Sequence, residues 1–355
     1  MLSGGCLKVE NTYTWKDRWE YALREEHKIL FDYKSKGLKE EYAEYTACPV
    51  CASSNPELWF EKDWFQHVRC KDCSMVYINP RMNQAATHSF YNSNVNAIYN
   101  ETKFDDVSTS TKLDDEINYK NLLMLDKIRN GKKGSLLEIG SAKGYFLAKA
   151  KEAGYEIYGL ELNRVNYEYS RRQLGDNILD KTLSEVHFDE EKFDVIYMRD
   201  VIEHIPNPKE FLNEVNRVLK PGGQLFLETH NVDGWIYRIA REWHTVFFGF
   251  EHPNHWSPRT LKLALSQHGF TVSKVKHFSL DFTILDILGY IVTPGFTTIY
   301  PKKVNKLLSR PINILIKILS LKPLRWLDIN CLPHIANLLG YGSVMKVIAQ
   351  KDSIK

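Results

Sequence analysis

The sequence has no apolar run long enough to span a bilayer, because Asp286 and Lys317 interrupt the two best candidates. No membrane-spanning helix is therefore expected. It opens Met1-Leu-Ser-Gly-Gly-Cys-Leu7, without a basic segment leading into an apolar one, so no signal peptide is expected. Net charge is only +3 and the pI is near 8.3, too mild to call for nucleic acid. Cysteine is sparse, at six. In a chain without a secretion signal such thiols stay reduced, which favours metal ligation over disulfides and the cytosol as compartment. Two glycine motifs are also missing. There is no Gly-Lys-Ser/Thr to cradle a phosphate and no Gly-x-Gly-x-x-Gly for a dinucleotide.

What is present centres on Leu136-Leu-Glu-Ile-Gly-Ser-Ala-Lys-Gly-Tyr-Phe-Leu147. An apolar strand runs into Gly140, and Gly144 follows at the start of a helix, so a ligand can lie against bare backbone. Glu138 stands two residues before Gly140, and Ala142 occupies the place of a second glycine. A carboxylate there repels pyrophosphate and suits a cation, such as a ligand carrying an ammonium and a sulfonium. Tyr155-Glu-Ile-Tyr-Gly-Leu-Glu161 reads as a second strand ending in an acid, placed to take ribose hydroxyls.

These features resemble the class I S-adenosylmethionine-dependent methyltransferases, and the likeness continues in order. Phe193 to Pro208 contains Glu-His-x-x-x-Pro after a fourth strand, and Arg217-Val-Leu-Lys-Pro-Gly-Gly-Gln-Leu-Phe-Leu227 resembles the turn into a fifth. The resemblance implies an α/β fold: a Rossmann-like sheet with helices on both faces across 118–280. It implies S-adenosyl-L-methionine as cofactor, with Glu138, Gly140, Ser141 and Gly144 framing the methionine end and Glu161 holding the ribose. By the same resemblance Thr182 and Leu183 flank the adenine, and Asp200 and His204 face the reacting end.

Before that domain, residues 1–45 carry Trp15, Trp19, Leu23, Ile29, Leu30 and Tyr33 at helical spacing and predict one or two surface-packed helices. Cys48-Pro-Val-Cys51 and Cys70-Lys-Asp-Cys73 follow within 46–80. Two such turns can aim four thiolates at one point, the pattern of a zinc ribbon with structural Zn2+; a redox or iron site is the alternative. Residues 81–117 are a polar linker whose Tyr91 and Tyr99 cover the cofactor or simply pack, with Phe104 among them.

Glu251-His-Pro-Asn-His-Trp-Ser-Pro258 leaves the carboxyl edge of the sheet. With His204, the histidines His252 and His255 are the candidate acid/base groups. Zinc-containing C-methyltransferases of deoxysugar biosynthesis carry Tyr-His-Glu-His in this place. Here Glu251 and His252 match, whereas Gly249 and Phe250 stand at the other two positions. Residues 281–340 mix Ile and Leu with Lys302, Lys303, Lys306, Arg310, Lys317, Lys322 and Arg325, a lid, a homodimer face or a peripheral contact with the inner face of the membrane. Residues 341–355 supply the last strand and tail.

By resemblance the acceptor is a hydroxyl of a sugar, glycan precursor or natural product. The rivals are a ribosomal RNA base methyltransferase and a cofactor-binding protein without catalysis. No DNA partner is expected, and RNA ranks behind small molecules.

Overall fold

Five consecutive buried residues, Ser135–Ile139 (β1), form the centre of the main sheet. The structure, a computed structural model, describes residues 15–95, 98, 107–279, 284, 285, 288 and 306–353. Tyr99, Phe104, Asp286, Lys302, Lys303 and the segment 1–14 lie outside the described residues.

The strands Glu156–Leu160 (β2), Ile178–Leu179 (β3), Phe193–Arg199 (β4), Leu219–His230 (β5), Phe270–Phe278 (β6) and Val344–Lys351 (β7) complete a sheet of order β3-β2-β1-β4-β5-β7-β6. The first five are parallel, and β7 runs antiparallel to both neighbours. Apolar runs buried on both faces, such as Val195 to Met198, are what a parallel sheet sandwiched by helices requires. Strand order reverses between β1 and β4, so a crevice opens at their carboxyl ends.

Helices Tyr145–Glu152, Arg164–Leu174, Pro208–Val218 and Pro258–Gln267 alternate with the strands. Ser257 caps the last of these by accepting from Thr260 N, with proline in the first turn. A long helix, Val107–Ile128, precedes β1.

Ahead of the sheet, one helix, Trp15–Leu30, is followed by short strands. It buries Trp19, Leu23 and Leu30 against Phe65, Phe90, Phe248 and Phe250, leaving Ile29 and Tyr33 exposed. The cysteine module contributes Pro56–Lys62, Phe65–Cys70 and Val76–Ile78 to a second, antiparallel sheet. Its fourth strand comes from the methyltransferase-like half: Asn254 pairs with Tyr77 and His255 with Val76. The module is therefore stitched into the loop expected to meet the acceptor. Within the insertion, helices Lys306–Leu319, Lys322–Asn330 and Leu332–Leu338 lead into β7.

Candidate functional site

The glycine turn has the predicted geometry. Gly140 and Gly144 sit at φ +73° and +74°, where a Cβ is strained, and a Cβ on Gly140 would come 2.7 Å from Val201. Gly140 N and Ser141 N both donate to Leu160 O, holding the turn against the end of β2. Glu161 accepts from Ala142 N at 2.7 Å and Asn163 N at 2.6 Å, which fixes its carboxylate at the end of β2 beside the glycine turn.

Glu138 is buried and its Oε2 meets no hydrogen-bond donor among the described residues; Ser141 Oγ is likewise buried without a partner among them. Burial drives the Glu138 carboxyl well above the usual range, against a smaller downward pull from Arg199. An orphaned acid beside a glycine turn fits a ligand that brings its own cation, as an amino-acid ammonium does. Asp200, at φ +55°, donates its N–H to Glu228 O at the head of the crevice. Thr182 and Leu183 are used locally. The Thr182 hydroxyl bonds Glu185 in a capping box, and Leu183 packs in the same core as Leu160.

The carboxyl ends of β4 and β5, with the loop that follows β5, gather a set of imidazoles in which His230 and His255 are buried and His204 and His252 half-buried. His204 Nδ1 lies 3.1 Å from Glu251 O, and His252 Nδ1 lies 2.7 Å from Val246 O. A carbonyl only accepts, so both neutral rings carry their proton on Nδ1 and present Nε2 as the basic atom. Burial, followed by the charges of His204 and His230, pushes His252 down to about 3. His255 is fully buried, with Nδ1 3.2 Å from His230 Nε2, and burial drives it well below its ordinary value. It lies behind the other two, away from solvent.

Sequence reasoning gave no role to Glu203, His230 or His67. His230 Nδ1 stands 3.6 Å from Glu203 Oε1, longer than a hydrogen bond. Burial raises Glu203, but His230, His204 and His252 outweigh it and hold the acid at about 2. His67, on the ribbon strand Phe65–Cys70, places its ring 5.2 Å from His255 and stacks on Phe60. Glu203 adjoins His204 in sequence and His230 ends β5, and those placements were the available signals.

A narrow cleft of about 20 Å³ beside this set is lined by Arg81, Tyr91, His204, Gly249, Glu251 and Pro253, among others. Arg81 closes one wall, donating to Glu44, to Pro206 O and, at 2.8 Å, to Asn207 Oδ1. His204 is thus the predicted histidine that lines an open space; His252 and His255 are not among the lining residues. Gly249 has no room for a side chain, since a Cβ would lie 2.3 Å from Phe65, and Phe250 is buried with Phe65 and Phe90. The two departures from Tyr-His-Glu-His are therefore packing choices that seat the loop on the ribbon.

In the ribbon itself, Cys48 and Cys73 Sγ are 3.4 Å apart and Cys51 and Cys70 Sγ 3.6 Å, with all four inside 4.8 Å. A tetrahedron with metal–sulfur bonds of about 2.3 Å has edges of about 3.8 Å, so the set fits one tetrahedral ion. Each pair is followed by a left-handed residue, Ala52 at φ 58° and Ser74 at φ 72°, which turns the chain back under the thiols. With four protein ligands no position remains for water.

Residues 111–275 match a family described as a methyltransferase domain. A ubiquinone biosynthesis O-methyltransferase from Bartonella tribocorum is 27% identical over 154 residues, covering 39% of this chain and 60% of that protein. The biotin biosynthesis bifunctional protein BioHC from Cellvibrio japonicus is 29% identical over 138 residues, 38% of this chain and 27% of that protein. The chain thus spans less than two thirds of the length of these curated relatives. Among solved structures, an S-adenosylmethionine-dependent methyltransferase from Archaeoglobus fulgidus aligns at TM-score 0.41 and 20% identity, covering 65% of this chain and 94% of that one.

Proposed function

We propose that the protein is a class I S-adenosylmethionine-dependent methyltransferase, a reading that the methyltransferase-domain match over residues 111–275 supports, and that it methylates a hydroxyl of a small acceptor bound in the cleft beside His204. The acceptor class we favour is a sugar, a glycan precursor or a related natural product. One observation carries the choice of base: His204 lines the cleft with Nδ1 committed to Glu251 O, which leaves Nε2 as its basic atom.

Bound S-adenosylmethionine would supply an electrophilic methyl on sulfur. Glu138 and Ser141 would hold its amino-acid end and Glu161 its ribose. His204 Nε2 would take the acceptor's proton as the oxygen forms its new bond to carbon, while the carbon–sulfur bond breaks and its electron pair stays on sulfur. Tyr91, Arg81 and Glu251 would orient the acceptor.

Oxygen as the accepting atom agrees with the O-methyltransferase names among the relatives. It also agrees with Gly249 and Phe250, whose packing leaves no tyrosine or second histidine at the positions used by the C-methylating enzymes. We read the four cysteines as ligands of a structural zinc ion that supports the acceptor side of the cleft through the Val76–His255 and Tyr77–Asn254 pairs.

The test is to incubate the purified protein and methyl-labelled S-adenosylmethionine with host extract, then separate small molecules, lipid-linked material and RNA. Label as a methyl ether in either of the first two supports the proposal. Label in RNA overturns the acceptor class, and bound cofactor with no transfer overturns catalysis.

A further inference from the structure

The helix Lys306–Leu319 turns Ile312, Ile316 and Leu319 inward, at the four- and three-residue spacing of one helical face. Its outer side should then be polar, yet Ile314 is 59% and Ile318 46% exposed. The apolar surface continues beyond this helix through Leu321, Trp326 and Leu338, at 58%, 59% and 87% exposed. Isolated exposed apolar residues are ordinary, but a run of this extent across consecutive helices marks a contact surface.

Charge identifies the occupant. Between 306 and 340 the sequence holds Lys306, Arg310, Lys317, Lys322 and Arg325 against a single acid, Asp328. Lys317 and Lys322 are exposed, whereas Asp328 is buried and accepts from Ile284 N and Leu285 N. The described surface therefore combines exposed aliphatics, a tryptophan and cations, with no exposed carboxylate from 311 to 328. Apolar side chains enter the acyl boundary, a tryptophan sits at headgroup level and lysines meet anionic headgroups. Arg325 is paired with Asp328 at 3.8 Å, but a homodimer face would bring Lys317 and Lys322 against their own copies, with no exposed acid between 311 and 328 to pair them. No described helix is long and apolar enough to cross a membrane, so the contact is peripheral.

We propose that helices Lys306–Leu319 and Lys322–Asn330, continued by Leu338, form a docking surface for an anionic lipid bilayer. The surface is also mechanically tied to the cleft side of the sheet. Asn231, the residue following β5, donates through Nδ2 to Gly342 O at 2.9 Å, and Trp235 N donates to Tyr341 O at 3.1 Å. Docking would therefore hold the carboxyl edge of the sheet at a fixed attitude to the bilayer.

The test is flotation of the full-length chain with vesicles of phosphatidylcholine containing phosphatidylglycerol, and with vesicles of phosphatidylcholine alone. The expected result is flotation with the anionic vesicles only, weakened by salt. The double variant Lys317→Ala/Lys322→Ala should lower partitioning roughly 30-fold at low salt, at about 1 kcal/mol per charge. Trp326→Glu with Ile318→Glu should abolish it while S-adenosylmethionine binding, measured by calorimetry, stays unchanged; that retained binding reports an intact fold. Absence of flotation, equal flotation with both vesicles, or flotation indifferent to these substitutions overturns the proposal. So does a dimer in solution that Trp326→Glu dissociates, if vesicles are not bound.

Discussion

His204 and His252 stand edge to face with ring centres 4.6 Å apart, and each commits its Nδ1 to a backbone carbonyl. Two imidazoles this close cannot both be protonated cheaply. Burial keeps His252 neutral, pushed down to about 3, which leaves the proton-accepting role to the ring that lines the cleft. His204→Gln should lower kcat by about a hundred- to ten-thousand-fold with little change in cofactor affinity. Steady-state kinetics beside calorimetry checks this, and unchanged turnover would remove His204 from the reaction.

Glu138 is a buried acid with an unmatched oxygen and a raised pKa, so in the free protein it is a liability. Its folded pKa lies above the unfolded one, so as pH rises past the ordinary carboxylate range the unfolded chain gives up its proton first and this group erodes stability. Glu138→Gln should therefore raise the melting temperature of the free protein while weakening S-adenosylmethionine binding by about 1.5–3 kcal/mol, the scale of a charge-assisted bond. Binding to the wild type should release a proton, visible as a calorimetric enthalpy that depends on the buffer.

Removing the metal should damage the acceptor side of the site before the cofactor side. Cys48→Ser leaves three thiols where a closed tetrahedral site needs four. The purified variant should lose stoichiometric zinc by elemental analysis and gain protease cleavage around Asn254–His255, whose partner strand is Val76–Ile78. It should retain measurable cofactor binding, because the glycine turn lies in the other sheet. Zinc loss without new cleavage would show that the ribbon and the loop are not coupled.

Acid should unfold this protein early. His67, His244 and His252 are each pushed down to about 3, first of all by burial, and His255 is driven down as well. Their folded values lie below the unfolded value near 6.5, so the unfolded chain takes up the extra protons. The stability they allow is complete above about pH 6.5 and drains as pH falls toward 3. Each histidine adds a slope of up to ~1.4 kcal/mol per pH unit over that window. His244→Asn keeps an acceptor for Val246 N and removes one titrating ring. Its denaturation midpoint should fall less steeply between pH 7 and 5 than the wild type's, and an equal slope would contradict the assignment.

The parts of the site that were legible in the sequence are local in the chain. The glycine turn, the acid ending β2 and the two cysteine pairs each fit within a dozen residues, so spacing alone encodes their geometry. Glu203, His230 and His67 escaped because they come from three separate segments: Glu203 and His230 meet where two strands end side by side, and His67 reaches His255 through the fourth strand of the ribbon sheet. The ribbon strand Phe65–Cys70 was hidden by its turn. Asp63 and Trp64 both adopt positive φ, 50° and 66°, without the glycine or asparagine that usually announces such a hairpin. Gly249 looked like a lost tyrosine, and only the proximity of Phe65 explains it.

The pairing of Asn254–His255 with Val76–Tyr77 joins residues separated by 254 − 77 = 177 positions. A ribosome adding 5–20 residues per second needs roughly ten to thirty-five seconds to cover that distance. Throughout that interval the strand Val76–Ile78 is already made, yet its outer edge has no partner, and an open edge is a template for any other extended chain. An edge left open for that interval is a liability during synthesis, so yield in a cell should depend on how well chaperones shield one three-residue edge.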